Sequence, residues 1–186
     1  MQEIYRHIWQ CLTAGASPGQ SPFTMWQLAT NGADGVPQLR TIVLRAADEA
    51  RNTLTFHTDM RSVKVAELRA DPRLSMLAAD LVKLQQIRLE GRAEICPDEA
   101  ERSAIWNSAR PHTLILYQAP LSPGTPLPHS PQATAVSTGR HDGYDNFCVV
   151  RATLSKIDYL DISPAGHQRA VFTRSDNHWQ GKRVAP

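Results

Sequence analysis

Arg61, Ser62 and Lys64 lie together in the stretch FHTDMRSVKVAELRADPRLSML, residues 56–77, at the entrance to a short helix between two apolar runs. The chemistry open to such a group is anion binding. A serine just before a helix is a good N-cap, because its hydroxyl can accept from a backbone N–H two or three residues on. Lys64 then falls in the first turn, the wrong end for a cation, since the helix dipole is positive there. Arg61 adds to the mismatch. Both oddities vanish if a phosphate occupies the helix entrance, where unpaired N–H groups, the dipole and two cations converge. Two cations pointing into solvent is the plainer reading of the same residues.

A second cationic position comes from LRTIVLR, residues 39–45. In a regular strand Arg40, Ile42 and Leu44 share one face, while Arg45 joins Leu39, Thr41 and Val43 on the other. Each face sets an arginine in line with apolar neighbours. A buried arginine needs a partner, either a structural carboxylate or a bound anion. In LQQIRLEG, residues 84–91, Gln86 shares a face with Arg88 and Glu90. It is either an outward polar residue or an amide that donates and accepts at a heterocycle edge.

The elements that must hold these residues are mostly strands. FTMWQLAT, VPQLRTIVLRAAD, NTLTFHT, RLSMLAAD and KLQQIRLEGRAEI, between residues 23 and 95, are short β-branched and apolar runs. Hairpin turns are predicted at Asn31–Gly35 and around Glu49–Asn52. NFCVVRATLSKIDYLDI, QRAVFTRS and HWQGKRVAP add strands near the C-terminus. Ile4, Ile8 and Leu12 at helical spacing predict an N-terminal helix over residues 1–14. PDEAERSAIWNSARP, with Pro97 and acidic residues at its start and Pro111 after its end, predicts another. Residues 119–131 hold five prolines and are predicted to form a loop or an extended arm. The fold class expected is a single α+β domain, mainly β: a barrel of six to eight strands with peripheral helices.

The bulk numbers exclude several classes. The chain has 186 residues, 41% hydrophobic and 20% charged, with a formal charge of +2. That composition is globular, and the charge is too weak to argue for nucleic acid or anionic lipid. No apolar run approaches the about 20 residues a membrane span needs. The N-terminus lacks the apolar core and cleavage site of a signal peptide, so a cytoplasmic protein is expected. Cys11, Cys96 and Cys148 are widely spaced, suggesting neither a disulfide framework nor zinc. Seven dispersed histidines show no metal-ligand spacing, and no metal is expected. There is no G-x-S-x-G motif to support a hydrolase. Trp9, Trp26, Trp106 and Trp179 read as core or interface anchors, and Trp106 could also cover a ligand.

Together R-T-I-V-L-R at 40–45, F-H-T at 56–58, R-S-V-K at 61–64, D-P-R-L-S at 71–75 and Q-I-R-L-E-G at 86–91 occur in an order and spacing that resemble the pyridoxamine 5'-phosphate oxidase-like flavoproteins. The ending W-Q-G-K-R-V-A-P at 179–186 is similar to that of the oxidases themselves. The resemblance is good over most of 36–95, moderate at the C-terminus and poor over about 112–145. It implies an FMN-binding split β-barrel, a homodimer with FMN in clefts between subunits, and a small-molecule substrate. By position, Arg40, Ser62 and Lys64 would hold the FMN phosphate, with Arg61 at the same helix entrance. His57, Thr58 and the stretch Thr41, Ile42, Val43, Leu44 and Arg45 would line the ribityl chain and ring. Gln86 would reach the ring edge from the neighbouring subunit's side, and Arg169 matches a late flavin-contacting arginine.

The substrate half departs from the oxidase pattern. Val63 replaces a basic residue, Arg45 a lysine, His57 a tyrosine and Leu160 a tryptophan. A substrate-phosphate trio maps onto Trp106, Arg110 and Thr113 or Leu114. Of a late R-x-H, His167 matches the histidine, while the arginine falls on Ala165. The resemblance therefore implies a related FMN-dependent oxidoreductase, with the vitamin-B6 oxidase itself, a non-catalytic flavin carrier or sensor, and a heme or deazaflavin barrel as alternatives. No side chain is assigned as a catalytic acid or base.

Overall fold

Alternation of inward apolar and outward polar side chains builds a closed wall. The computed structural model describes residues 1–17, 19–127, 143–164 and 167–186. Its strands are β1 (Met25–Asn31), β2 (Pro37–Asp48), β3 (Thr53–Asp59), β4 (Arg73–Asp80), β5 (Gln85–Ile95), β6 (Phe147–Asp161), β7 (Gln168–Ser175) and β8 (His178–Val184). All pair antiparallel in the order β3-β2-β1-β4-β5-β6-β7-β8, and β3 pairs again with β6. The first six strands thus close into a barrel, and β7 and β8 extend it. Closure leaves few sheet edges open. Every strand expected from alternation is present. On β1, for instance, Trp26, Leu28 and Thr30 are buried while Met25 and Gln27 are exposed.

The barrel interior is filled by Trp26, Leu28, Leu44, Leu54, Phe56, Ile87, Leu89 and Val150. β5 bulges at Glu90/Gly91 where it crosses β6. Gly91 is required there, because a Cβ would collide with the Thr153 carbonyl. Helix α1 (Gln2–Ala16) packs Ile8, Trp9 and Leu12 onto the sheet and ends two residues beyond its predicted span. Ser17 closes it by donating its N–H and hydroxyl to the Thr13 carbonyl. Helix α2 (Val63–Ala70) links β3 to β4.

Helix α3 (Glu99–Ser108) starts where Asp98 accepts from the N–H groups of Ala100 and Glu101. Pro111 does not trail this helix. It opens another, α4 (Pro111–Leu114), which runs into a 3-10 turn at Ile115–Tyr117. Proline suits the first helical position because the N–H it lacks would have no partner there. These pieces cover the outer side of β6 with a second cluster of Trp106, Leu114, Tyr117, Phe147 and Val149. Residues 119–127 of the proline-rich segment contain no helix or strand; the rest of that segment, and Ala165, lie outside the described residues. Among the described residues no helix is long and apolar enough to cross a membrane.

Candidate functional site

At the end of β3 the chain turns through Asp59–Ser62 into α2 and gathers a polar cluster. Ser62 occupies the N-cap position, but its hydroxyl does not accept from a helix N–H. It donates to the Asp59 carbonyl at 2.7 Å, because the turn sets that oxygen above both the Ser62 N–H and O–H. With that proton spent, the Thr58 hydroxyl must donate to Ser62 Oγ, 3.4 Å away. Thr58 Oγ1 in turn accepts from Lys64 Nζ at 3.0 Å. Lys64 makes no ion pair among the described residues, and burial, then the nearby Arg40, lower its pKa. A half-buried cation therefore stands beside a helix N-terminus that no side chain caps. That arrangement can hold an anion.

Two expected members of this group have other work. Arg61 forms a fork with Asp59, Nη2 to Oδ2 at 2.7 Å and Nε to Oδ1 at 3.0 Å. It also donates to the carbonyls of Ala119 (3.0 Å) and Pro120 (3.4 Å). Asp59 is 6% exposed and needs a counter-charge, so Arg61 is a tie between the turn and the proline-rich segment, and not a free cation. Arg40 faces inward as its strand position implies, but its partner is the buried Glu67 of α2 at 2.7 Å, together with the Thr30 hydroxyl. Its guanidinium is therefore held by a structural carboxylate, and its charge is felt by Lys64.

β2 pairs with β1 from Pro37 to Val43, and with β3 only from Leu44 onward. Among the described residues, its first half therefore offers an unpaired backbone edge. Ile42 and Leu44 bury their side chains in the core, so only their backbone can meet a ligand; Thr41 and Val43 lie on the opposite face. Arg45 sits at a bulge between Leu44 and Ala46, which re-aims its side chain. It is exposed and makes no ion pair or hydrogen bond among the described residues, and its charge is felt by His57 and Tyr117. The His57 ring packs edge-on against Phe147 at 4.9 Å. Burial, then the Arg45 charge, pull the His57 pKa down to about 4, so the imidazole is neutral at pH 7. Burial raises the Tyr117 hydroxyl to about 12.

The expected substrate contacts are dispersed. Trp106 is 2% exposed, packed between Phe147, Tyr117 and Tyr144, and its buried indole N–H has no hydrogen-bond partner among the described residues. It is core in this structure because α3 needs a large residue to seat on β6. Arg110 is exposed at the N-cap of α4, where its carbonyl accepts from Thr113. His167 is exposed beside β7.

On the outer face of the wall, Gln86 of β5, Leu160 of β6 and Arg169 of β7 stand in one register row. Arg169 does not point out freely. It forks onto Asp158, Nε to Oδ1 at 3.0 Å and Nη2 to Oδ2 at 2.8 Å, and Arg88 grips the same carboxylate. Asp158 escaped the sequence reading, since its partners lie 11 and 70 residues away. The signal was present: strand alternation puts Arg88 on Gln86's face, and such an arginine needs an acid.

Comparison with known proteins places this geometry. A family model described as pyridoxamine 5'-phosphate oxidase matches residues 20–137. A pyridoxine/pyridoxamine 5'-phosphate oxidase of Arabidopsis thaliana is 27% identical, covering 96% of both chains. One from Caulobacter vibrioides is 29% identical over 93% of this chain and 80% of its own. In fold, a pyridoxamine 5'-phosphate oxidase-related, FMN binding protein from Nostoc punctiforme superimposes with TM-score 0.81 at 23% identity, covering 97% of this chain and 96% of that one. PhzG from Burkholderia lata gives 0.71 at 20% identity, over 100% and 91%. With more than half its length matched, the chain belongs to the pyridoxamine 5'-phosphate oxidase family.

Proposed function

We propose that this chain binds FMN and acts as an FMN-dependent oxidoreductase, working as a homodimer. The observation that carries the reading is Lys64: a half-buried cation that, among the described residues, makes no ion pair and donates to a neutral hydroxyl, beside an uncapped helix N-terminus. A phosphate satisfies both. Family membership and the FMN-binding neighbour support the choice of FMN. The flavin supplies the redox chemistry when bound. Lys64, Thr58 and the first N–H groups of α2 hold its phosphate. The unpaired backbone edge of β2 orients the ribityl chain and ring, and neutral His57 offers one donor and one acceptor nearby.

Arg40 lies on the inner face of the wall and Gln86 with Arg169 on the outer face. Two copies are needed for both sets to reach one ligand. Outward Met25 and Leu39, 60% and 69% exposed, with Leu77 between strands, give that outer face an apolar surface for a second copy. Oxidation of a B6 phosphate vitamer is the second reading, favoured by the full-length match to the curated relatives. Against it stand the interior Trp106 and the buried Leu114 where a substrate phosphate would be gripped.

The test is the visible spectrum of the purified protein, with identification of what heat releases. Twin near-ultraviolet and blue bands, and FMN near one per chain, are expected, with a dimer by light scattering. A colourless protein that takes up no added FMN sinks the cofactor reading. Peroxide formed from pyridoxine 5'-phosphate above a flavin-only blank would establish the B6 reading. A flavin that reduces but accepts electrons from no donor would point to a carrier.

A further inference from the structure

Asp158 is 5% exposed, while its two arginine partners remain open: the Arg88 side chain is 46% exposed and that of Arg169 is 29%. Two guanidiniums share one carboxylate, so one positive charge is left over. No other acid pairs with either arginine among the described residues. The register neighbours on the same face are Leu77 for Arg88 and Leu160 and Val184 for Arg169, with Gln86 and Glu90 flanking Arg88 along β5. Where this mixed face is covered, the uncompensated charge needs an acceptor from whatever covers it.

We propose that Asp158 is the positioning residue of a ring-edge site, fixing Arg169 and Arg88 so that their leftover charge meets the pyrimidine edge of the FMN held by a second copy. This rests on the cofactor and dimer readings above. The fork from Nε and Nη2 fixes the plane of the Arg169 guanidinium and leaves Nη1 without a hydrogen bond among the described residues. Asp158 can do this at neutral pH: burial pushes its pKa up, but the hydrogen bonds from Arg169 and Arg88 outweigh it and keep the carboxyl ionised. Gln86 stands in the register row of Arg169, across Leu160, and adds an amide at the same edge. Reduction of a flavin gathers negative charge at that edge. An oriented guanidinium there binds reduced FMN more tightly than oxidised FMN.

The experiment compares the dissociation constants of oxidised and reduced FMN for the wild-type dimer and for Asp158→Asn, Arg169→Lys, their double variant and Arg88→Ala. Asp158→Asn and Arg169→Lys are each expected to weaken reduced FMN about tenfold more than oxidised FMN, the scale of one charge-assisted hydrogen bond. The double variant should be no worse than either single one, since both remove the same oriented donor. The sign is decisive. If Asp158 acted only through its charge, removing it would tighten reduced FMN, and that result overturns the proposal. Unchanged affinities with a lower melting temperature also overturn it, leaving a purely structural ion pair. Arg88→Ala, at an exposed position, guards against misfolding and should shift the same ratio in the same direction; no shift counts against the proposal. A wild-type chain that takes up no FMN overturns the cofactor reading and this one together, whereas wild-type binding with unaltered variants overturns this one alone.

Discussion

Single side chains here are tuned by burial more than by pairing. Lys64 has given up part of its hydration for one hydroxyl contact. Lys64→Met should therefore leave the flavin-free protein as stable as before, or up to about 1 kcal/mol more stable, because the desolvation of an unpaired charge disappears. The same change should weaken FMN at least about tenfold, the scale of a lost charge-assisted phosphate contact. Thermal melts of the flavin-free protein and an FMN titration read the two effects separately. His57 gives a pH signature. Its folded pKa of about 4 lies below the ordinary 6.5. Between those values the unfolded chain binds more protons than the folded one, so stability rises with pH across that window and the penalty is complete below it. Urea midpoints at pH 4.5 and pH 7 should differ less in His57→Gln than in the wild type, by up to about 3 kcal/mol in stability.

At the scale of elements, α2 is latched to the barrel through Glu67, Arg40 and Thr30. Glu67→Ala strands a mostly buried guanidinium and should cost about 3 kcal/mol, read from urea midpoints; pairing Glu67→Leu with Arg40→Met should recover much of it. The strands were readable because alternation leaves its mark on every second residue, as Trp26, Leu28 and Thr30 show. The inward face of Arg40 was readable for the same reason, but its partner was not, since Glu67 lies 27 residues on across a helix. Ser62 was correctly seen at a helix start, while the direction of its hydroxyl depended on a carbonyl that only the folded turn supplies. Pro111 was read as a stop because proline both ends and begins helices, and composition does not say which. Trp106 could be core or ligand cover from sequence alone; its ring neighbours decided for core.

The whole molecule divides its candidate ligand contacts between two sides of one wall. Lys64, Thr58 and the inward Arg40 gather at the α2 entrance, while Gln86, Arg88 and Arg169 look outward from β5 and β7. In a symmetric pair each ligand is then built from the entrance of one copy and the outer face of the other. This division has a genetic consequence. On the proposed dimer, a Lys64→Met chain and an Arg169→Ala chain, each with weakened FMN binding as its own dimer, should complement one another when mixed. Their hybrid carries one site with both lesions and one with neither. Random reassortment makes about half the dimers hybrids, so roughly a quarter of all sites should regain wild-type FMN affinity. No recovery on mixing, under conditions where subunits exchange, would place both residues in the same copy's site.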